Sequence, residues 1–137
     1  MASRPYLITM TTNHVGPRLI IAARILLAAA TVFIIYEATI KRPVNLSVSE
    51  GDKILHSTAF FTLALLSDFS FPARGYGFQK IALLVSYGIL IELLQSILPW
   101  RSADVSDLLA DCLGLVVYAG FIPLFKHLPL LRQRWQP

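Results

Sequence analysis

Eight polar residues stand out against an apolar background: Lys53, His56, Glu92, Gln95, Arg101, Asp104, Asp107 and Asp111. Lys53, His56 and Arg101 can meet a phosphate or carboxylate through charge-assisted hydrogen bonds, with Glu92, Gln95 and Asp107 orienting them. Alternatively, His56, Glu92, Asp107 and Asp111 are a carboxylate–histidine set able to hold a divalent cation that would polarise a phosphoryl oxygen. Such a set suits several metals, so no metal ligand is assigned and the cofactor is left open. No Ser–His nucleophile pattern is present. The acidic run at Asp104, Asp107 and Asp111 lacks the Gly and Arg of the CDP-alcohol phosphotransferase signature. No residue is therefore assigned as catalytic, and enzymatic activity is left open. In a third reading these groups form a buried network that fixes helix packing, and the function lies with protein partners.

The elements that must position these residues are membrane helices. Of the 137 residues, 55% are apolar and only 15% charged. A soluble domain carries roughly 45–50% apolar and about 25% charged residues. High hydrophobicity also excludes disorder. The mean hydropathy of +0.63 completes the case for an integral membrane protein. The single cysteine, Cys112, excludes an intrachain disulfide framework and reads as a small core residue. The net charge of +4 is dispersed between apolar stretches with no basic run, so nucleic acid is not expected as a partner.

Four apolar stretches, 19–38, 54–71, 81–98 and 108–125, are each long enough to cross a hydrocarbon core as a helix. Their runs do not alternate, which excludes a β-barrel. Breakers occupy the connectors: Pro43 and Asn45, then Pro72, Gly75 and Gly77, then Pro99. The expected fold is all-α, an integral membrane four-helix bundle with short loops. Residues 1–17 form an N-terminal cytoplasmic tail, 18–126 the membrane domain and 127–137 a C-terminal cytoplasmic tail. The first stretch reads as an uncleaved span, being long for a signal peptide, with charges far from Met1.

Orientation follows from connector charges. Arg4, Arg18, Arg74, Lys80, Lys126, Arg132 and Arg134 lie on one side; Lys41, Arg42, Lys53 and Arg101 lie on the other. Seven against four places both termini in the cytoplasm. Arg24, within the first span, can snorkel to that side.

This topology brings the start of span two, the end of span three and the start of span four into the outer leaflet. His56, Glu92, Gln95, Arg101, Asp107 and Asp111 then share one level. Helical phase agrees: Glu92 and Gln95 are i, i+3 neighbours. Asp104, Asp107, Asp111, Gly114 and Tyr118 step by three and four along one face, where Gly114 lets a neighbouring helix approach closely. Charged groups in a bilayer are expensive unless paired or wet. The expectation is one polar pocket, open to the outside, lined by spans two, three and four.

Simpler roles exist for several of these residues. Asp104 or Ser106 can cap span four, and Asp107 can favour its helix dipole. Arg101 can be an interfacial anchor or can neutralise the carboxylates. His56 can be a core histidine with a backbone partner. Glu92 must have a partner or be protonated. Glu37 sits where it can join the pocket, Asp68 reads as interfacial, and Trp100 and Trp135 fit interfacial belts.

In this order, the residues resemble the VanZ-like family of small bacterial membrane proteins. Three blocks carry the resemblance. Asp52–Lys53–Ile54–Leu55–His56 leads to Phe60 and Leu63. Glu92–Leu93–Leu94–Gln95 leads to Pro99 and Arg101. Asp104–Val105–Ser106–Asp107 continues through Asp111 to Gly114. The resemblance implies a bacterial inner-membrane location and, through the family's namesake, a link to glycopeptide tolerance, chiefly to teicoplanin. It implies no settled reaction. An anionic, lipid-linked cell-envelope intermediate is the expected ligand, with the bilayer itself as the other partner; the oligomeric state is left open. One departure stands out: the family usually has Asn at the position of Asp111. Either Asp111 is protonated or it accepts from Arg101 or His56, and a neighbouring Glu92 favours one shared proton between them.

Overall fold

The structure is a computed structural model that describes residues 15–41, 51–129 and 131–135. Arg4, Arg42, Pro43 and Asn45 lie outside the described residues, as does most of the segment expected as an N-terminal tail. The described residues form four α-helices and no strand: α1 (Pro17–Thr39), α2 (Gly51–Ser70), α3 (Phe78–Ser96) and α4 (Val105–Phe125). A one-turn 3-10 helix follows at Arg132–Arg134. The order and number match the four apolar stretches. Each helix begins two or three residues before its stretch, because capping and first-turn positions need not be apolar. Pro17 opens α1, where its missing N–H costs nothing. Asp104 caps α4, its carboxylate accepting from the Ser106 N–H at 2.8 Å.

Three of the helices, α1, α3 and α4, are long and apolar enough to cross a membrane. The second is less apolar for a physical reason. It is the central helix, packed chiefly on α4 and α1, and it buries Ser67, Asp68 and Ser70 against protein while Asp52, Thr58 and Thr62 stay exposed. Phe60, Leu63 and Ala64 of α2 form the middle of the core with Leu84, Ile91, Leu115 and Tyr118. The close approach of α2 and α4 depends on Gly114. A Cβ there would lie 2.2 Å from the Ser57 carbonyl oxygen and 2.9 Å from the Phe61 nitrogen. The outward faces carry apolar residues such as Val32, Leu83, Leu93, Leu109 and Val116, all exposed and suited to lipid contact.

The apolar core separates two polar ends. One contains the start of α2, the end of α3 and the start of α4. The other contains the end of α2, the start of α3 and the end of α4, with the 3-10 turn folded back on it.

Candidate functional site

At the first end, the acidic face of α4 meets α2. Asp107, Asp111, Gly114 and Tyr118 are all buried, as their three-and-four spacing requires. His56 Nδ1 lies 2.9 Å from Asp111 Oδ1. A carboxylate accepts, so Nδ1 carries the proton and Nε2 is left to face elsewhere. It faces Asp107, whose Oδ2 is 3.7 Å away. Asp111 is 1% exposed, so His56 is its compensation for burial. The departure at position 111 is thus accommodated by His56. Asp111 Oδ1 is engaged by His56 and Glu92 Oε2 by the Asp104 N–H. Gly88 makes room for the second carboxylate oxygen: a Cβ there would stand 2.8 Å from Asp111 Oδ2.

Glu92 Oε2 accepts from the Asp104 N–H at 2.8 Å, tying the end of α3 to the start of α4. One ligand atom from each of His56, Glu92 and Asp107 lies within 4.8 Å of the others. Glu92 Oε1, Asp107 Oδ1 and Asp111 Oδ2 are buried and have no hydrogen-bond partner among the described residues. Asp104 itself is exposed. The Ser106 N–H holds its carboxyl below the usual carboxylate range, and Lys53 adds to the effect.

Arg101 and Gln95 face a different wall. The Arg101 guanidinium donates to the Glu37 carbonyl rather than to the carboxylates of α3 and α4. Its Nε is buried and has no partner among the described residues. Gln95 Nε2 makes a long contact of 3.5 Å to the Ala38 carbonyl. Nearby, the Trp100 indole donates to the Thr39 carbonyl at 3.0 Å, with Lys41 over its ring. Between α1, α2 and α3 lies a pocket of about 390 Å³. Its walls are mainly apolar, including Phe33, Ile34, Leu55 and Ile91, while Glu37, Asp52, His56, Gln95 and Arg101 supply polar atoms. The expected pocket is polar and lined by spans two, three and four; this one is mainly apolar, has α1 in place of α4, and is not lined by Lys53, Glu92, Asp104, Asp107 or Asp111. Glu37 does join it.

The second polar end was read from sequence only as an interfacial Asp68, and that reading is corrected. Asp68 is fully buried. Its Oδ1 accepts from Lys80 Nζ at 2.6 Å and from Arg134 at 2.8 Å, and its Oδ2 from the Tyr118 hydroxyl at 2.9 Å. Lys80 also donates to the Phe71 and Arg74 carbonyls; Arg134 donates to those of Asp68, Pro72 and Arg74. Trp135 packs edge-on against Phe69. The signal available in the sequence was an acidic residue late in an otherwise apolar run, which must find a partner. Tyr76, in the α2–α3 connector, donates to the Leu115 carbonyl at 3.2 Å. Burial, aided by the Asp68 charge, pushes its hydroxyl up to about 12.

Apolar-faced helices around a buried carboxylate–histidine cluster define a small helical membrane protein with a polar site at one end. The family model described as VanZ/LLP1 matches residues 7–126, and the chain belongs to that family. No curated protein and no solved structure gives a significant match.

Proposed function

We propose that this VanZ-like protein is a multi-pass protein of a bacterial inner membrane, termini in the cytoplasm, that binds an anionic, lipid-linked cell-envelope ligand at an outward-facing pocket. The observation that carries this reading is Arg101. Its buried Nε, in the wall of a mainly apolar pocket, lacks a partner among the described residues. A buried guanidinium donor without an acceptor is costly, and a phosphate or carboxylate oxygen would satisfy it. The apolar walls suit the hydrocarbon part of the same ligand. At about 390 Å³ the pocket falls within the range of roughly 300–1,000 Å³ usual for ligand sites. His56 and Gln95, which also line the pocket, are the further polar contacts in this reading, with Lys53, Glu92, Asp104, Asp107 and Asp111 positioning them from outside its lining. The excess of Lys and Arg in alternate connectors supports the orientation. A contribution to teicoplanin tolerance follows if the ligand is a wall precursor.

Equilibrium binding of a fluorescent polyprenyl phosphate to the detergent-purified protein tests this. A charge-assisted hydrogen bond is worth about 1.5–3 kcal/mol. Arg101→Ala should therefore weaken binding by roughly tenfold or more. A neutral phosphatidylcholine analogue should bind both proteins equally weakly. Equal binding of the phosphate by wild type and Arg101→Ala would remove the proposal's basis.

A further inference from the structure

We propose that His56 Nε2, Glu92 and Asp107 form a divalent-cation site beside the start of α4, with Asp111 fixing the imidazole from behind. Three observations meet here. The first is proximity: one ligand atom of each residue lies within 4.8 Å of the other two. Ligand atoms about 2.0–2.2 Å from a shared cation are separated from one another by roughly 3–4.4 Å. The 3.7 Å between His56 Nε2 and Asp107 Oδ2 fits that range and is too long for a hydrogen bond.

The second is the lack of a donor. The Asp107 side chain is 13% exposed, yet its Oδ1 is buried with no partner among the described residues, and so is Glu92 Oε1. In its neutral form with the proton on Nδ1, His56 offers a lone pair at Nε2. Buried acceptors that converge without a donor are costly, and a cation between them would satisfy them. Glu92, Asp107 and the supporting Asp111 put three carboxylates around one imidazole, and a divalent ion would offset most of that charge.

The third is the support behind the histidine. Metal-bound imidazoles commonly donate their other N–H to a carboxylate, which fixes tautomer and ring orientation. The 2.9 Å contact from Nδ1 to the buried Asp111 supplies that feature. Glu92 is likewise fixed, because its Oε2 accepts from the Asp104 N–H. One nitrogen and two carboxylates favour a first-row cation such as Zn²⁺ or Mn²⁺ over Mg²⁺ or Ca²⁺. His56 also lines the apolar pocket, so the cation would sit at its edge. The inference stands on this geometry and does not depend on the ligand proposed above.

The test is calorimetric titration of Mn²⁺ and Zn²⁺ into EDTA-stripped, full-length protein in detergent free of anionic lipid. Failure of the lipid reading then leaves the result untouched. Wild type should bind one equivalent. Asp107→Asn and Glu92→Gln should each weaken binding at least tenfold; Glu92→Gln keeps an amide oxygen for the Asp104 N–H and so should keep the fold. Asp111→Ala should weaken binding by roughly 10–100-fold, as expected for loss of the group that orients a metal-bound imidazole. Asp111→Asn, which still offers an oxygen to Nδ1–H, should lose much less. His127→Gln, at an exposed histidine beyond the other end of α4, should bind as wild type does. Elution and helical circular dichroism establish folding of each variant. Folded wild type without saturable binding would overturn the site. So would binding that survives Asp107→Asn and Glu92→Gln but is lost in His127→Gln.

Discussion

Asp68 holds two cations and a phenol at one buried carboxylate, and its removal should be felt throughout the fold. Asp68→Ala leaves Lys80 and Arg134 buried without their counter-charge. Breaking one partner of a buried ion pair costs about 3–5 kcal/mol. Thermal unfolding in detergent should therefore show a large fall in Tm, whereas Arg18→Ala, at an exposed position on α1, should change little. A milder effect belongs to Asp104. Its carboxyl is held below the usual range, so its contribution is complete above the unfolded value near pH 3.9. That contribution is lost as pH falls through the lower folded value. Between pH 5 and 3 the Tm of wild type should fall more than that of Asp104→Asn, which caps without titrating. Equal slopes would contradict this. At this scale the acidic face of α4 was legible, because periodicity reports which residues share a side. The Asp68 cluster was not. Its partners lie 12 and 66 residues away and look like ordinary loop and tail charges. Nor does spacing reveal that Arg101 turns to a carbonyl of α1 and leaves the carboxylates to His56.

The helices follow from length and apolar runs, and their contacts follow from a few small residues. Gly114→Ala places a methyl against the α2 backbone, where nothing can rotate away. The two helices must separate, at a cost of about 1–3 kcal/mol or more. Gly120 lies on the same helix with nothing within 4 Å of its would-be Cβ. Gly120→Ala should be neutral or gain about 0.5–1 kcal/mol from helix propensity. Comparing the two Tm values separates close approach from propensity, and similar shifts of the same sign would contradict the packing. Gly114 was visible in the sequence as a small residue on the polar face. The modest hydropathy of α2 was harder to interpret. Hydropathy averages over a helix and cannot tell a polar side chain that faces lipid from one that faces α4.

The proposed orientation places the cation cluster and the pocket toward the outside and the Asp68 cluster toward the cytoplasm. Single cysteines in a Cys112→Ala background test it at two exposed positions. A membrane-impermeant thiol reagent should label Ser102→Cys in intact cells, and Ala73→Cys only after permeabilisation. The reverse pattern would invert the topology. Topology was only partly legible, because two of the charges counted for the inner side, Lys80 and Arg134, are buried in the protein. The central claim is that the pocket holds an anionic lipid through Arg101. Native mass spectrometry of the purified protein, with wild type beside Arg101→Ala, measures this most directly. Wild type should retain an anionic lipid adduct that Arg101→Ala loses, with both proteins folded. An adduct of equal abundance on both, or folded wild type without any lipid adduct, would contradict it.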